Sequence, residues 1–388
     1  MKYARAAVAT LVVVVWGCSS GGGAGEPFPE HSVWTRPPRP ALHSKADTND
    51  ANAYYTRGLR TLAFRPDTAA AAFYWATQLD PWRADAYYAR SVALLRTLWG
   101  PHRELEMWLP KRRPRQNEMQ VIDSLNQLAY RLDPYIDRRF DRLVGPPVSA
   151  FMCDRVRNAV SAGLCFMQFG NHEKSVERLG AALKKDPKQI SLHYLRAQAH
   201  FQIGQFDSAA AQLGVLADSL GKRQEKEITA FYVSRATLYY AQGMAYMELG
   251  DTAAARSAYE RALVEDLSFH MASVRLAGRA LSEGDTAAAL QHLAHAVTVS
   301  PSDAPLHYYY GLVLDHAKQY EEAEAQYRQA IDINPHYAPP YLHLGRLLET
   351  NDLGSAVASY DTFLMRSPQS DTARAWVADR LKRLVGAP

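Results

Sequence analysis

A spacing of 34 residues recurs in the C-terminal half of the chain and constrains its fold more than any other feature. The hexapeptide at residues 250–255, Gly-Asp-Thr-Ala-Ala-Ala, returns at residues 284–289, which is 34 residues later. Pro301 and Pro335 are separated by the same interval of 34 residues. A fixed period of this length indicates a repeated helical unit that buries its apolar face only against neighbouring copies of itself.

The copy that ends at Pro335 resembles the tetratricopeptide repeat. The signature of that family is a large residue, a small residue, Ala, an aromatic residue, Ala and Pro, in that order and at fixed spacings. Here these are His307, Gly311, Ala323, Tyr327, Ala330 and Pro335. The resemblance implies two antiparallel helices per repeat, which approach closely at the small residues. The fold expected from it is an all-α, right-handed solenoid.

The same pattern extends in both directions and gives about eight helix-turn-helix repeats. Residues 51–136 hold two degenerate repeats with a basic insertion at 99–117, residues 137–155 an irregular joint, and residues 156–369 six further repeats. Residues 371–385 carry an apolar helical face with charges elsewhere, so we expect a helix that caps the last repeat.

The N-terminus has the pattern of an export signal. Lys2 and Arg5 precede a short apolar run that is too short to span a bilayer. The run ends at Gly17-Cys18 in a sequence that resembles the bacterial lipoprotein box. The resemblance implies a signal peptide at 1–17 and an acylated Cys18, which would anchor the protein in the cell envelope, in an outer membrane if the cell is Gram-negative. Residues 18–50 are rich in Gly, Ser and Pro, which predicts a disordered tether.

The basic insertion interrupts the repeats. It contains three prolines, which predict a loop with a short helical piece. Its cations, together with two tryptophans, are suited to binding anionic lipid headgroups or a polyanionic partner. A solvent-exposed loop without a binding role is an equally open alternative. The basic residues are Arg103, Lys111, Arg112, Arg113 and Arg115.

Cys153 and Cys165 are the two cysteines that remain after Cys18. An exported protein lies in a compartment that permits disulfides, so the pair is a candidate disulfide. A free thiol buried in the core at Cys165 is the other open alternative.

Composition argues against several classes of function. The formal net charge of +4 over 388 residues is weak for a nucleic-acid-binding protein, and 47% hydrophobic residues exclude a disordered chain. The sequence has no recognisable catalytic motif, phosphate loop or metal-ligand spacing. We therefore expect no enzyme activity, no metal and no cofactor.

In the tetratricopeptide family, the first helix of each repeat lines a concave groove that binds peptides. The resemblance carries this role to an aromatic, Met-rich and amide-rich set in this chain, which suits an extended peptide or an amphipathic helix. Some of these side chains are alternatively expected to pack only between neighbouring first helices. The set is Tyr194, Gln198, Phe201, Tyr240, Met244, Met247, Arg275, Tyr308, Tyr309, Asp315, His316, His343 and Arg346.

These patterns together predict a membrane-anchored scaffold that binds protein or peptide partners at the bacterial envelope, in secretion, pilus or outer-membrane assembly. Two alternatives remain open. One is an accessory factor that holds a cell-wall hydrolase or synthase, and the other is an enzyme with an unrecognised site around residues 99–155. The oligomeric state does not follow from the sequence.

Overall fold

A computed structural model gives the fold of most of the chain. It describes residues 28–30, 32–102, 107–110, 115–136, 153, 156–220 and 233–386. The signal peptide and Cys18, and most of the irregular joint at 137–155, lie outside the described residues.

Helices dominate the described part of the chain, which confirms the all-α prediction. In chain order they are α1 (Ala51–Thr61), α2 (Pro66–Leu79), α3 (Ala84–Thr97), α4 (Gln116–Leu132), α5 (Ala159–Gln168), α6 (His172–Lys185), α7 (Ile190–Gln202), α8 (Phe206–Ser219), α9 (Arg235–Glu248), α10 (Thr252–Glu265), α11 (His270–Ser282), α12 (Thr286–Val299), α13 (Ala304–His316), α14 (Tyr320–Ile333), α15 (Pro339–Leu348), α16 (Leu353–Arg366) and α17 (Ala373–Val385). From α5 to α16 they form pairs of a first and a second helix.

The described residues fall into two compact units. Unit 1 draws on residues 1–38, 58–71 and 84–258, and unit 2 draws on residues 39–57, 72–83 and 259–388. Within unit 1, helices α5 to α9 each pack on the next, and within unit 2, helices α11 to α17 do the same. Such nearest-neighbour stacking is the packing that the 34-residue period predicts.

The recurring Gly-Asp pair explains the turns between the two helices of a repeat. Gly250 and Gly284 have φ angles of +75° and +81°, a conformation that Gly adopts without the penalty of a Cβ atom. The following residues, Asp251 and Asp285, each accept a hydrogen bond at Oδ1 from an N–H in the first turn of the next helix, at 3.0 and 2.9 Å. These caps start α10 and α12.

The close approach of paired helices depends on the small signature residues. A Cβ atom on Gly311 in α13 would lie 2.6 Å from the ring of Tyr327 in α14. Tyr327 is fully buried beside Leu314 and Leu344. The Tyr ring therefore fills the space that glycine leaves, as the repeat signature implies.

The basic insertion differs from the loop with a helical piece that the sequence predicts. Its described residues form two short antiparallel strands, β1 (Trp99–His102) and β2 (Met107–Pro110), with Trp99 opposite Pro110. A two-stranded ribbon leaves one edge of each strand unpaired, so it tolerates proline better than a helix does.

The segment predicted as a tether is packed where the structure describes it. In unit 1, Arg90 Nη2 donates to the carbonyl of Thr35 at 3.1 Å. In unit 2, Asn49 Nδ2 donates to the carbonyl of Met365 at 2.7 Å, and the guanidinium of Arg39 lies over the ring of Trp75 at 4.8 Å. The segment lacks its own core, but its polar groups find partners on distant helices, a possibility that composition does not reveal.

Among the described residues, no helix is both long enough and apolar enough to cross a membrane.

Candidate functional site

The predicted groove residues of α7 in unit 1 bind a main-chain carbonyl of the chain itself. Tyr194 Oη donates to the carbonyl of Pro134 at 2.8 Å, and Gln198 Nε2 donates to the same oxygen at 2.8 Å. Gln198 Nε2 also lies 3.0 Å from Tyr194 Oη. Both side chains are buried. A carbonyl held by two side-chain donors is recognised whatever residue carries it.

Tyr135, the next residue, occupies the same surface. Its ring stacks on Phe201 with the centroids 3.6 Å apart and the planes 8° apart, and its carbonyl accepts from Gln202 Nε2 at 2.7 Å. Its hydroxyl donates to the carbonyl of Ala241 in α9 at 2.7 Å. Residues 134–136 therefore lie on α7 and α9 as part of a turn, in which the Ile136 N–H donates to the carbonyl of Asp133 at 3.4 Å. We call this surface the unit 1 groove and define it by Tyr194, Gln198, Phe201 and Gln202.

The three predicted groove residues of α9 are not equivalent. Tyr240 is completely buried, Met244 is half-buried and Met247 is 45% exposed. Only the C-terminal end of this helix therefore offers a predicted groove side chain to solvent.

The predicted groove residue Tyr309 of unit 2 also contacts the chain itself. The Trp82 ring stacks on Tyr309 with the centroids 5.0 Å apart and the planes 16° apart. Trp82 Nε1 donates to both carboxylate oxygens of Asp303, each at 3.1 Å. Asp303 also caps α13 by accepting from the Leu306 N–H at 3.2 Å. We call the surface formed by Asp303, Tyr308, Tyr309 and Tyr337 the unit 2 groove.

Tyr308 and His343 lie deeper in unit 2 than a solvent-facing wall. The Tyr308 ring packs edge-on against Tyr337 at 5.7 Å and lies 5.6 Å from the His343 ring. Burial raises the pKa of Tyr308 to about 12. Burial and the nearby Arg346 cation lower the pKa of His343 to about 4. Both side chains are therefore neutral at pH 7.

The remaining predicted groove residues of unit 2 are polar. Asp315 in α13 forms an ion pair with Arg346 in α15, so these two charges bind each other across neighbouring repeats. Arg275 and His316 are exposed.

Sequence reasoning missed the residues that occupy the grooves, Trp82 and Tyr135, and the acceptor Asp303. A signal for the first two is present in the sequence. Asp-Pro followed by an aromatic residue occurs at residues 80–82 and 133–135, each time at the end of a second helix. Nothing in the sequence indicates which distant residues such a turn contacts.

Other predicted sites are described only in part. Cys153 and Cys165 form a disulfide, and Cys153 is buried beside Ala162 and Phe166. In the basic insertion, Arg103 and residues 111–113 lie outside the described residues. The Arg115 N–H donates to the Glu118 carboxylate at 2.8 Å. Among the described residues, no group of three or more His, Cys, Asp or Glu side chains lies close enough together to hold a metal ion.

Comparison with known families identifies the repeats. Models described as tetratricopeptide repeat match residues 161–219, 240–304 and 280–346. Residues 161–219 and 240–346 are therefore tetratricopeptide repeats. No curated protein matches the sequence.

Solved structures of tetratricopeptide proteins are similar over about half of the chain. The C-terminal part of a TPR repeat-containing protein from Cytophaga hutchinsonii is 15% identical, covers 52% of this chain and 77% of its own, and has a TM-score of 0.44. MamA from Desulfovibrio magneticus RS-1 is 23% identical, with coverages of 50% and 96% and a TM-score of 0.36. YrrB, described as a TPR protein with an unusual peptide-binding site, is 18% identical, with coverages of 53% and 99% and a TM-score of 0.40.

Stacked helical repeats present extended surfaces that bind other proteins. The fold is therefore that of an interaction scaffold.

Proposed function

We propose that this protein is a lipid-anchored scaffold that binds peptide segments of partner proteins at the bacterial cell envelope. The observation that carries the proposal is the unit 1 groove, where Tyr194, Gln198 and Gln202 donate to two consecutive main-chain carbonyls. Recognition of main-chain carbonyls beside a stacked aromatic ring is chemistry by which a groove holds a peptide.

Exposed side chains on other first helices offer further contacts. Met247 on α9 is flexible and polarisable, so it adapts to ligands of different shape. Arg275 and His316, on α11 and α13 of unit 2, add polar groups on first helices. A partner bound at such positions would be selected by aromatic or aliphatic anchors together with some acidic character.

The role of Met247 is tested by comparing two charge substitutions in affinity capture followed by mass spectrometry. Met247→Glu places a charge on first helix α9, where Met247 is 45% exposed, whereas Val264→Glu places the same charge on second helix α10, where Val264 is 82% exposed. We expect Met247→Glu to lose a partner that wild type and Val264→Glu both retain. Equal recovery from all three would contradict a role for this surface in partner binding.

Membrane anchoring through Cys18 is the second part of the proposal. Its support is the sequence that ends at Gly17-Cys18 and its resemblance to the lipoprotein box. Several acyl chains on one residue hold a protein durably in a leaflet, because each buried methylene contributes about 0.8 kcal/mol. Cys18→Ala should move the protein from the membrane fraction to the soluble fraction, and a variant that still sediments with membranes would overturn the anchor.

A further inference from the structure

Two turns of the same sequence share one backbone geometry. The Asp80 N–H donates to the carbonyl of Ala76 at 3.0 Å, and the Asp133 N–H donates to that of Ala129 at 2.9 Å, so each Asp ends its helix in the same way. The carbonyl of each Asp accepts from the N–H three residues later, at 3.2 and 3.4 Å. Pro follows Asp in both turns, and an aromatic residue follows Pro.

Each turn places its aromatic ring flat on an aromatic residue of a first helix. In unit 1, Tyr135 lies on Phe201, and in unit 2, Trp82 lies on Tyr309. The two contacts involve separate helices and separate turns. The turn itself is common to the repeats, because Asp186 and Asn334 end their helices with the same two hydrogen bonds. What the two contacts share is the aromatic residue after Pro, which stacks on a first-helix aromatic ring.

The segment in unit 1 leaves part of the groove unsatisfied. A small cavity remains beside it, lined by Tyr135, Ile136, Met167 and Gln198 among others. Gln198 Oε1 is buried and accepts no hydrogen bond within the described residues, although Gln198 Nε2 makes two contacts. This oxygen is therefore an acceptor for an N–H of a bound peptide.

We propose that the unit 1 groove binds peptides that present a Pro-aromatic pair in a turn, and that Pro134-Tyr135-Ile136 is an internal occupant which such a peptide displaces. This inference rests on the proposed function and specifies its ligand. The carbonyls of the incoming peptide would accept from Tyr194, Gln198 and Gln202, and its aromatic ring would stack on Phe201. An internal segment competes at a high effective concentration, so it lowers the apparent affinity for every external peptide.

The experiment measures binding of a fluorescent peptide with the sequence of residues 132–136 by anisotropy. Tyr135→Ala removes the internal ring, and we expect it to bind the peptide at least about tenfold more tightly than wild type does. Phe64→Ala is the matched control, because it removes an aromatic ring that is 84% exposed and belongs to neither groove, and it should bind like wild type. A peptide with Ala in place of its Tyr should bind neither protein.

Equal binding by wild type and a Tyr135→Ala variant with native circular dichroism would overturn the inference. If Tyr135→Ala does not fold, wild type is irradiated with an excess of the same peptide carrying benzoylphenylalanine in place of Tyr. Adducts on α7 that a non-photoreactive peptide competes away would support the inference, and their absence would overturn it. If the peptide does not bind but Met247→Glu still loses a partner, only this inference is rejected. Loss of the Met247 effect rejects the scaffold surface itself.

Discussion

The carboxylate of Glu349, the residue that follows α15, is bound by the guanidinium of Arg380 in the C-terminal helix α17. Arg380 Nε lies 3.0 Å from Oε1 and 3.1 Å from Oε2 of Glu349, and Nη2 adds a third contact. Tyr360 of α16 donates its hydroxyl to the same carboxylate. Glu349 and Arg380 are 31 residues apart in the sequence, and the paired residues Asp315 and Arg346 have the same separation. Consecutive first helices, and then the C-terminal helix, are thus linked by charge.

Glu349→Gln should destabilise the protein in a pH-dependent way. Hydrogen bonding to Arg380 lowers the pKa of Glu349 in the folded state. The stabilisation is therefore present above the pKa of Glu in an unfolded chain, about 4.3, and is lost as the pH falls through the lower folded-state pKa. In thermal melts, the variant should have a lower melting temperature than wild type at pH 7. The difference should disappear as the pH falls through the folded-state pKa of Glu349. A constant difference at every pH would contradict this.

Gly311→Ala should destabilise unit 2 by about 2 kcal/mol, because its new Cβ would meet the buried Tyr327 ring. Gly278→Ala is the matched control, since Gly278 lies inside α11 and a Cβ there has nothing within 4 Å. Ala is a better helix former than Gly, so the free energy of unfolding of this control should rise by up to about 1 kcal/mol. Urea titrations measure the free energy of unfolding, which should fall in Gly311→Ala and rise in Gly278→Ala. A decrease of similar size in both variants would refute the close-packing explanation.

Trp82→Phe should lower the free energy of unfolding by about 2 kcal/mol. The variant keeps a ring on Tyr309 but loses the indole N–H that donates to Asp303. Trp82→Ala should cost more, since the ring is lost as well. Phe64→Ala, at a side chain that is 84% exposed, serves as the reference for loss of an aromatic residue at the surface. In chemical denaturation, the loss of stability should be largest for Trp82→Ala, smaller for Trp82→Phe and smallest for Phe64→Ala. A loss in Phe64→Ala as large as in the Trp82 variants would argue against the contact of Trp82 with Tyr309 and Asp303.

Reduction of the Cys153–Cys165 disulfide should lower stability by up to about 3 kcal/mol, because the bond closes a loop of 12 residues in the unfolded chain. The Cys18→Ala background removes the only other cysteine, so any effect of dithiothreitol on its melting temperature comes from this pair. A melting temperature that the reductant leaves unchanged would show that the bond does not stabilise the fold.

Local features of the repeats were predictable from the sequence. The 34-residue period identified the helix pairs, and the small signature residues identified the points of close approach, as Gly311 and Tyr327 illustrate. Apolar spacing also indicated a C-terminal helix, whose residue Val377 is buried against Tyr360 and Phe363. Each of these features depends on residues near one another in the sequence or one repeat apart.

Contacts between distant segments were not predictable in the same way. The Trp82 indole and Asp303 are 221 residues apart in the sequence, and no periodic pattern relates them. Tyr194 and Tyr240 were placed on a groove wall by their repeat positions, yet both are buried. Tyr194 is covered because residues 134–136 of the same chain lie on α7. Repeat position indicates which face of a helix a residue occupies, but not what covers that face.

Site-specific photo-crosslinking in cells tests most directly whether first-helix residues bind partner proteins. Benzoylphenylalanine would replace exposed residues of first helices, Met247, Arg275 and His316, and exposed residues of second helices, Val215, Val264 and Met365. The account predicts discrete adducts of higher mass from the first set and none from the second. Adducts from the second set alone, or from neither set, would contradict it.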